Sequence, residues 1–288
     1  MNSLNKDFLK QLPLNNIETI TPVSGGSVND AYHVETPSDT YFLLVQPNRD
    51  EGFYTAEIAG LREMQKAGVT APRVIATGDI ENDAFLLLSF LEEGNGSHED
   101  LGKEVAKLHQ FVSDNSLYGF HTDYVGKDST FKNDWTDSWV ELFVDNRLDV
   151  LRQQLDEKDF WRDSDNEDYA KARKIIVCEL EDRKAEPSLL HGDLWSGNFM
   201  FLSDGRPALF DPSPMYGDRE FDIGVSTVFG GFNDDFYRSY NEELPLDEGY
   251  EKRLAFYRLY LLMVHAVKFG SAYYSGTQMM LDSIINHG

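Results

Sequence analysis

Between residues 193 and 211 the chain carries three side chains whose types and order suit phosphoryl transfer. The segment His191-Gly192-Asp193-Leu194-Trp195-Ser196-Gly197-Asn198 holds an aspartate followed, five positions on, by an asparagine, and Ala208-Leu209-Phe210-Asp211 brings a second aspartate. A transferred phosphoryl group leaves the protein little covalent work, so catalysis rests on placing the acceptor hydroxyl and neutralising charge on the phosphate oxygens. Asp193 is the candidate catalytic base, able to accept the hydroxyl's hydrogen bond and then its proton. Asn198 can lend an amide oxygen, and Asp211 a hard carboxylate, to a magnesium ion that accompanies ATP. His191 is placed to brace the loop. A His-Gly-Asp triplet alone says little; the asparagine and the second aspartate give it weight.

These residues need elements to hold them. Phe199 to Leu202 and Pro207 to Phe210 read as short strands joined by Ser203-Asp204-Gly205-Arg206, an Asp-Gly hairpin turn that would bring Asn198 and Asp211 side by side. Upstream, Ser24-Gly25-Gly26-Ser27 precedes the strand pattern Ala31-Tyr32-His33-Val34, and a second strand follows at Tyr41-Phe42-Leu43-Leu44-Val45. Gly25, Gly26 and Ser27 are therefore candidates to fold over nucleotide phosphates. A helix over Thr55 to Ala67 places Ile58, Leu61 and Met64 on one face and stops at Gly68. Its Glu57 stands where a kinase fold carries a glutamate paired to a strand lysine. Ala84 to Phe90 reads as a buried strand running into the polar linker Leu91 to Ser97, so that Ser89, Phe90 and Leu91 would offer backbone to an adenine. Beyond it, Leu101, Val105, Leu108 and Val112 begin a mostly helical region. The pattern is α+β: a small β-rich N-terminal lobe, residues 1–91, and a larger, mostly α-helical C-terminal lobe, residues 92–288. Trp135, Trp139 and Trp161 fit core packing better than a substrate pocket.

The formal net charge of -24 would repel nucleic acid or an anionic membrane over most of the surface, so neither is expected as a partner. A small cationic or neutral substrate fits better. The single cysteine, Cys178, excludes an internal disulfide and a cysteine-rich zinc site, and its apolar helical surroundings suggest a core position. The first residues contain no continuous apolar stretch, and Leu254 to Phe269 falls short of the ~20 residues that span a bilayer. A cytoplasmic location is expected. Oligomeric state is not legible.

The catalytic segment with Asp211-Pro212, Tyr216-Gly217, Glu220-Phe221 and Phe229-Gly230-Gly231-Phe232 resembles the fructosamine kinase (ketosamine-3-kinase) family, and the resemblance covers nearly the whole chain. Trp195 is the discriminating residue, because aminoglycoside and choline kinases share the His-Gly-Asp and the later Asn but not usually the Leu-Trp-Ser-Gly filling. The resemblance implies a two-lobed, protein-kinase-like fold that holds ATP and Mg2+ between the lobes, with a ketosamine phosphorylated at its 3-hydroxyl. Trp195 and, by position after the metal aspartate, Asp218, Glu220 and Asp222 are candidates to grip the acceptor. One position departs from the family pattern: the strand lysine expected opposite Glu57 falls at Leu44, and no lysine occurs from Gln11 to Gln65. Arg49 and Arg62 are the only cations in that stretch.

Overall fold

Alternating apolar residues in the first third close a five-stranded antiparallel sheet, in the order β1-β2-β3-β5-β4. Its strands are β1 (Thr19–Val23), β2 (Asp30–Glu35), β3 (Thr40–Gln46), β4 (Val74–Ile80) and β5 (Asp83–Ser89). The structure, a computed structural model, describes residues 4, 6–23, 29–126 and 129–287. On one face Tyr32, Val34, Leu43, Val45 and Leu87 bury Phe8 and Leu12 around the short helix α1 (Lys6–Gln11). On the other, Leu44, Leu86 and Leu88 pack on Ile58 and Leu61 of α2 (Thr55–Lys66). The period-2 alternation of β3 thus assigns Leu44 to the face that looks toward α2.

The rest of the chain is mainly helical. Ser97 caps α3 (His98–Gln110), its hydroxyl accepting from the Asp100 amide at 3.1 Å. A small hairpin, β6 (Tyr124–Val125) with β7 (Thr130–Phe131), leads into a π-helical stretch over Glu141–Leu148 and α4 (Asp149–Glu157). Helix α5 (Asp163–Glu181) is followed by four short strands, β8 (Ser188–Leu190), β9 (Phe199–Phe201), β10 (Pro207–Leu209) and β11 (Met215–Gly217). Helices α6 (Glu220–Ser226), α7 (Asp234–Glu243), α8 (Tyr250–Phe269) and α9 (Tyr274–His287) complete it. The expected β9–β10 hairpin is present, with Phe199 opposite Leu209 and Gly205 at φ 88° in its turn. The linker after β5 is pinned to it: Gly94 N donates to Phe201 O at 2.7 Å and Ser203 N to Glu92 O at 2.9 Å.

The large core gathers the rings of Phe143, Phe221, Tyr257 and Tyr260, and α8 is its buried centre. Trp139 and Trp161 are core residues, whereas Trp135 is half exposed beside Tyr216. Cys178 is a correction: it is exposed. The buried stripe of α5 is Tyr169, Ala172, Ile176 and Leu180, and residue 178 points away from it. Among the described residues no helix is long and apolar enough to cross a membrane.

Two regions meet where α2 lies on the loop after Asp211. A Cβ on Gly60 would stand 2.8 to 2.9 Å from ring atoms of Pro212 and Pro214, so only glycine permits this approach. Gly60→Ala gains about 1 kcal/mol of helix propensity but overpacks rigid rings at a typical cost of about 1–3 kcal/mol. The variant is expected to melt at a lower temperature, and to lose activity through displacement of α2; an unchanged melting curve and unchanged activity would show that this contact does not position α2.

Candidate active site

The catalytic loop leaves β8 at His191 and is held by one buried carboxylate. Asp222, on α6, accepts from the backbone N–H of His191 at 2.6 Å and of Gly192 at 2.9 Å. Its Oδ2 also meets His109 Nε2 at 3.0 Å, and His109 Nδ1 meets the Tyr240 hydroxyl at 2.8 Å. With Nε2 donating to the carboxylate, Nδ1 is left to accept from the tyrosine. Asp222, His109 and Tyr240 are all buried, so the loop is fixed from beneath by a chain of satisfied groups. Gly192 adopts φ 80°, and a Cβ there would collide with the Ser213 carbonyl. His191 braces the loop as expected: its Nδ1 accepts from Asp193 N at 3.3 Å, leaving Nε2 to donate to Phe210 O at 3.0 Å. Burial lowers its pKa, in keeping with that neutral tautomer.

Asp193, Asn198 and Asp211 come together. Asn198 Nδ2 donates to the Asp193 carbonyl at 2.9 Å and to Asp193 Oδ2 at 3.1 Å, which commits the amide nitrogen and leaves the amide oxygen free to serve as a ligand. Phe210 N donates to Asn198 O at 3.1 Å, so the hairpin carries Asp211 to the same place. Asp211 itself takes the left-handed conformation, φ 55°. Dense surroundings and the neighbouring Asp211 charge push the Asp193 carboxyl up to about 7, against the pull of Lys268 and the Asn198 hydrogen bond. Asp211 is raised as well, mainly by burial, and Lys268 again opposes the shift. Asp193 is half-buried and Asp211 keeps solvent exposure.

Glu57 joins them from α2. Burial and Asp211 raise its pKa well above the usual carboxylate range, and no cation among the described residues counters the shift. Leu44, where the lysine was expected, is one apolar contact among others in the packing over α2. Arg49 lies over the Phe53 ring, its guanidinium 5.8 Å from the centroid, and Arg62 is exposed. Excess negative charge beside an uncommitted amide oxygen is the donor chemistry of a hard divalent cation. Among the described residues no three His, Cys, Asp or Glu side chains converge as a self-sufficient metal site. Magnesium carried on a nucleotide needs only one or two protein ligands, the phosphates and water supplying the rest.

Other expected site residues fall in three places. Gly25, Gly26 and Ser27 lie outside the described residues. Ser89 closes β5, its hydroxyl accepting from Arg73 N at 2.9 Å, with Phe90 exposed and Leu91 half-buried at the head of the linker. Trp195 is 38 % exposed, on the catalytic loop two residues from Asp193. Asp218 and Glu220 are not brought to the cleft: both are fully buried in an ion-pair network. Arg183 Nε donates to Asp218 at 2.6 Å, Arg253 grips Glu220 with two nitrogens at 2.7 and 2.8 Å, and Tyr257 donates to Asp218 at 3.0 Å. Asp218 also caps α6, accepting from Glu220 N at 3.1 Å. Arginines paired with buried carboxylates leave none of them free for an acceptor. Asp222, another candidate to grip the acceptor, proves to be the loop's anchor. Sequence reasoning missed the anchoring role of Asp222 with His109, and Lys268, which no local motif marks.

Solved structures share this architecture. A candidate fructosamine-3-kinase from Haemophilus somnus superimposes with a TM-score of 0.83 at 28% identity, covering 93% of this chain and 92% of that one. An aminoglycoside phosphotransferase APH(4)-Ia, solved as a ternary complex with AMP-PNP and hygromycin B, shares the fold at a TM-score of 0.69 and 18% identity, with 99% and 98% covered. Fold and site together define an ATP-dependent phosphotransferase that acts on an alcohol group. The sequence profile described as fructosamine kinase matches residues 1–287. A protein named as a probable ketoamine kinase of Staphylococcus aureus is 54% identical over 98% of both chains, and a chloroplastic protein-ribulosamine 3-kinase of Oryza sativa is 30% identical over 93% of this chain and 79% of its own. The chain belongs to the fructosamine kinase family.

The carboxylate crowding predicts a pH signature. An acid whose folded pKa is raised stabilises the fold at low pH and loses that contribution as pH rises from the unfolded value, about 4, through the folded one. In metal-free protein Asp211→Asn is therefore expected to raise the melting temperature at pH 8 and to leave it nearly unchanged near pH 4. It should also move the Asp193 carboxyl titration, followed by carbon-13 NMR, to lower pH. A destabilising effect at pH 8 would contradict the electrostatic account.

Proposed function

We propose that this chain phosphorylates the 3-hydroxyl of ketosamines, the adducts of sugars with amines, using ATP and Mg2+, with residues 1–91 binding nucleotide and residues 92–288 carrying the chemistry. The observation that carries the reading is the Asp193–Asn198 hydrogen-bonded pair beside Asp211, in a chain that aligns nearly end to end with relatives named for ketoamines and ribulosamines.

In this reading Asp193 accepts the hydrogen bond of the acceptor hydroxyl and takes its proton as the oxygen bonds to the γ-phosphorus. The bond from that phosphorus to the β,γ-bridging oxygen breaks, and ADP leaves with the electron pair. The Asp193 carboxyl, raised in the free protein, is driven to ionise by the incoming metal nucleotide and is then ready to take the proton. The Asn198 amide oxygen and the Asp211 carboxylate would hold magnesium, which neutralises phosphate charge. Asn198 keeps the Asp193 carboxylate aimed, and Asp222 keeps the loop beneath it still. Gly25, Gly26 and Ser27 would cover the phosphates, Ser89 to Leu91 would meet the adenine, and Trp195 would stack on the sugar. The phosphate ester formed at the 3-position decomposes and frees the amine, a deglycation that belongs in the cytoplasm.

Leu44 favours a second reading, a binder of nucleotide that no longer turns over. One experiment separates the two. Purified protein with ATP, Mg2+ and a fructosyl- or ribulosyl-amine is expected to form ADP, and Asp193→Asn to reduce the rate by about 10²- to 10⁴-fold, the span of general-base catalysis. ATP binding without turnover in the wild type, with turnover appearing in Leu44→Lys, would establish the second reading. Turnover that Asp193→Asn does not slow would remove Asp193 as the base.

A further inference from the structure

Beside the catalytic loop lies an exposed aromatic patch with a lysine at its edge. The turn after α6 touches the loop at Gly231, where a Cβ would collide with the Ser196 side chain. Two residues earlier, Phe229 is 41 % exposed and its ring lies 4.5 Å from that of His265. The last turn of α8 then presents Phe269, 53 % exposed, with its ring 5.5 Å from His265 and 5.9 Å from Tyr273. Large apolar rings left open beside a reaction centre are a binding surface rather than unfinished core. Trp195, next to Ser196 on the same loop, is exposed as well.

Lys268 sits between His265 and Phe269 in this turn. It is exposed and enters none of the ion pairs formed among the described residues. Its charge acts on Asp193, Asp211 and His265, and it lies in the same helical turn as the exposed Phe269 ring. In a chain of net charge -24 an anionic ligand is repelled almost everywhere, and an unpaired ammonium beside the site is a local exception. Rings flanked by a cation complement a molecule that carries an apolar group and a carboxylate close together.

We propose that this patch is the subsite for the amine half of the acceptor, and that it selects ketosamines of free α-amino acids with aromatic or large apolar side chains, whose carboxylate pairs with Lys268. The inference rests on the ketosamine reading and narrows it. The sugar half lies against Trp195 at Asp193, the amino-acid side chain lies on Phe229 and Phe269, and the carboxylate meets the ammonium. Adducts that place a second ammonium here, as those of diamines do, are repelled.

The test uses two acceptors that differ by one group: the fructosyl adduct of phenylalanine and that of phenethylamine, which has the same ring and no carboxylate. Wild-type kcat/KM is expected to favour the phenylalanine adduct by about tenfold, the scale of one charge-assisted hydrogen bond. In Lys268→Gln the ratio should fall to about one, and Lys268→Arg should restore most of it. Phe269→Ala should raise KM for both adducts. Calorimetric binding of the two adducts without ATP reads the same preference independently of turnover. Equal kcat/KM in the wild type overturns the proposal. So does a Lys268→Gln variant that weakens both adducts equally while raising KM for ATP, since the lysine would then serve the phosphates. ATP binding with phosphorylation of neither adduct removes the ketosamine reading, and this subsite with it.

Discussion

Glu57 and Asp193 each feel the charge of Asp211 where the sheet region meets the helical region; burial raises all three carboxyl groups, and the Asp211 charge adds to the shifts of Glu57 and Asp193. Among the described residues Lys268 is the one cation that opposes the shifts of the two aspartates, with the Asn198 hydrogen bond opposing that of Asp193 as well, and no cation opposes that of Glu57. Such crowding costs stability in the chain alone and is relieved by a cation. The arrangement is therefore incomplete by itself, and its deficit is positive charge. In the proposed reaction a nucleotide bearing a divalent metal would supply that charge, beside the Asp193 carboxylate and the uncommitted Asn198 amide oxygen.

Holding like charges together requires a rigid frame, and the frame is built from satisfied polar groups and close backbone approaches. Asp222 ties His191 and Gly192 to α6, and His109 with Tyr240 ties α6 to α3 and α7. Beneath them, Arg183 and Arg253 lock Asp218 and Glu220, and through them α5 and α8. Gly60 brings α2, and Glu57 one turn before it, onto the prolines after Asp211. The acidic side chains thus divide by environment. Asp218 and Glu220 are paired with arginine and Asp222 with backbone N–H groups and His109, whereas Glu57, Asp193 and Asp211 have no such partners for their charge among the described residues.

Much of this was legible in the sequence where chemistry is local. Asp193 and Asn198 lie on one loop, and the Asp-Gly turn fixes the hairpin that adds Asp211, so spacing alone assembled the centre. The fold class followed from strand alternation in the first third and helical periodicity after it. Long-range placement was not legible. Asp218, Glu220 and Asp222 looked alike as acidic residues after Asp211, and only the arrival of Arg183, Arg253 and His109 from distant parts of the chain distinguishes them. Cys178 sits in an apolar helical segment yet faces solvent, because a helix turns 100° per residue and its core stripe passes elsewhere. Lys268 is separated from Asp193 by most of the second half of the chain. Leu44 was legible as a departure, and the structure adds that its side chain belongs to the apolar packing over α2, with Glu57 left without a cation among the described residues.

The central claim is that the three carboxyl groups form a proton-holding, cation-deficient site that a metal nucleotide completes. Counting protons on binding tests it most directly: calorimetric titration of the protein with magnesium ADP near pH 7, repeated in buffers of different ionisation enthalpy, gives the net number exchanged. The account predicts net release, because the incoming cation drives partly protonated carboxyl groups to ionise. Binding with no exchange, or with proton uptake, would contradict it.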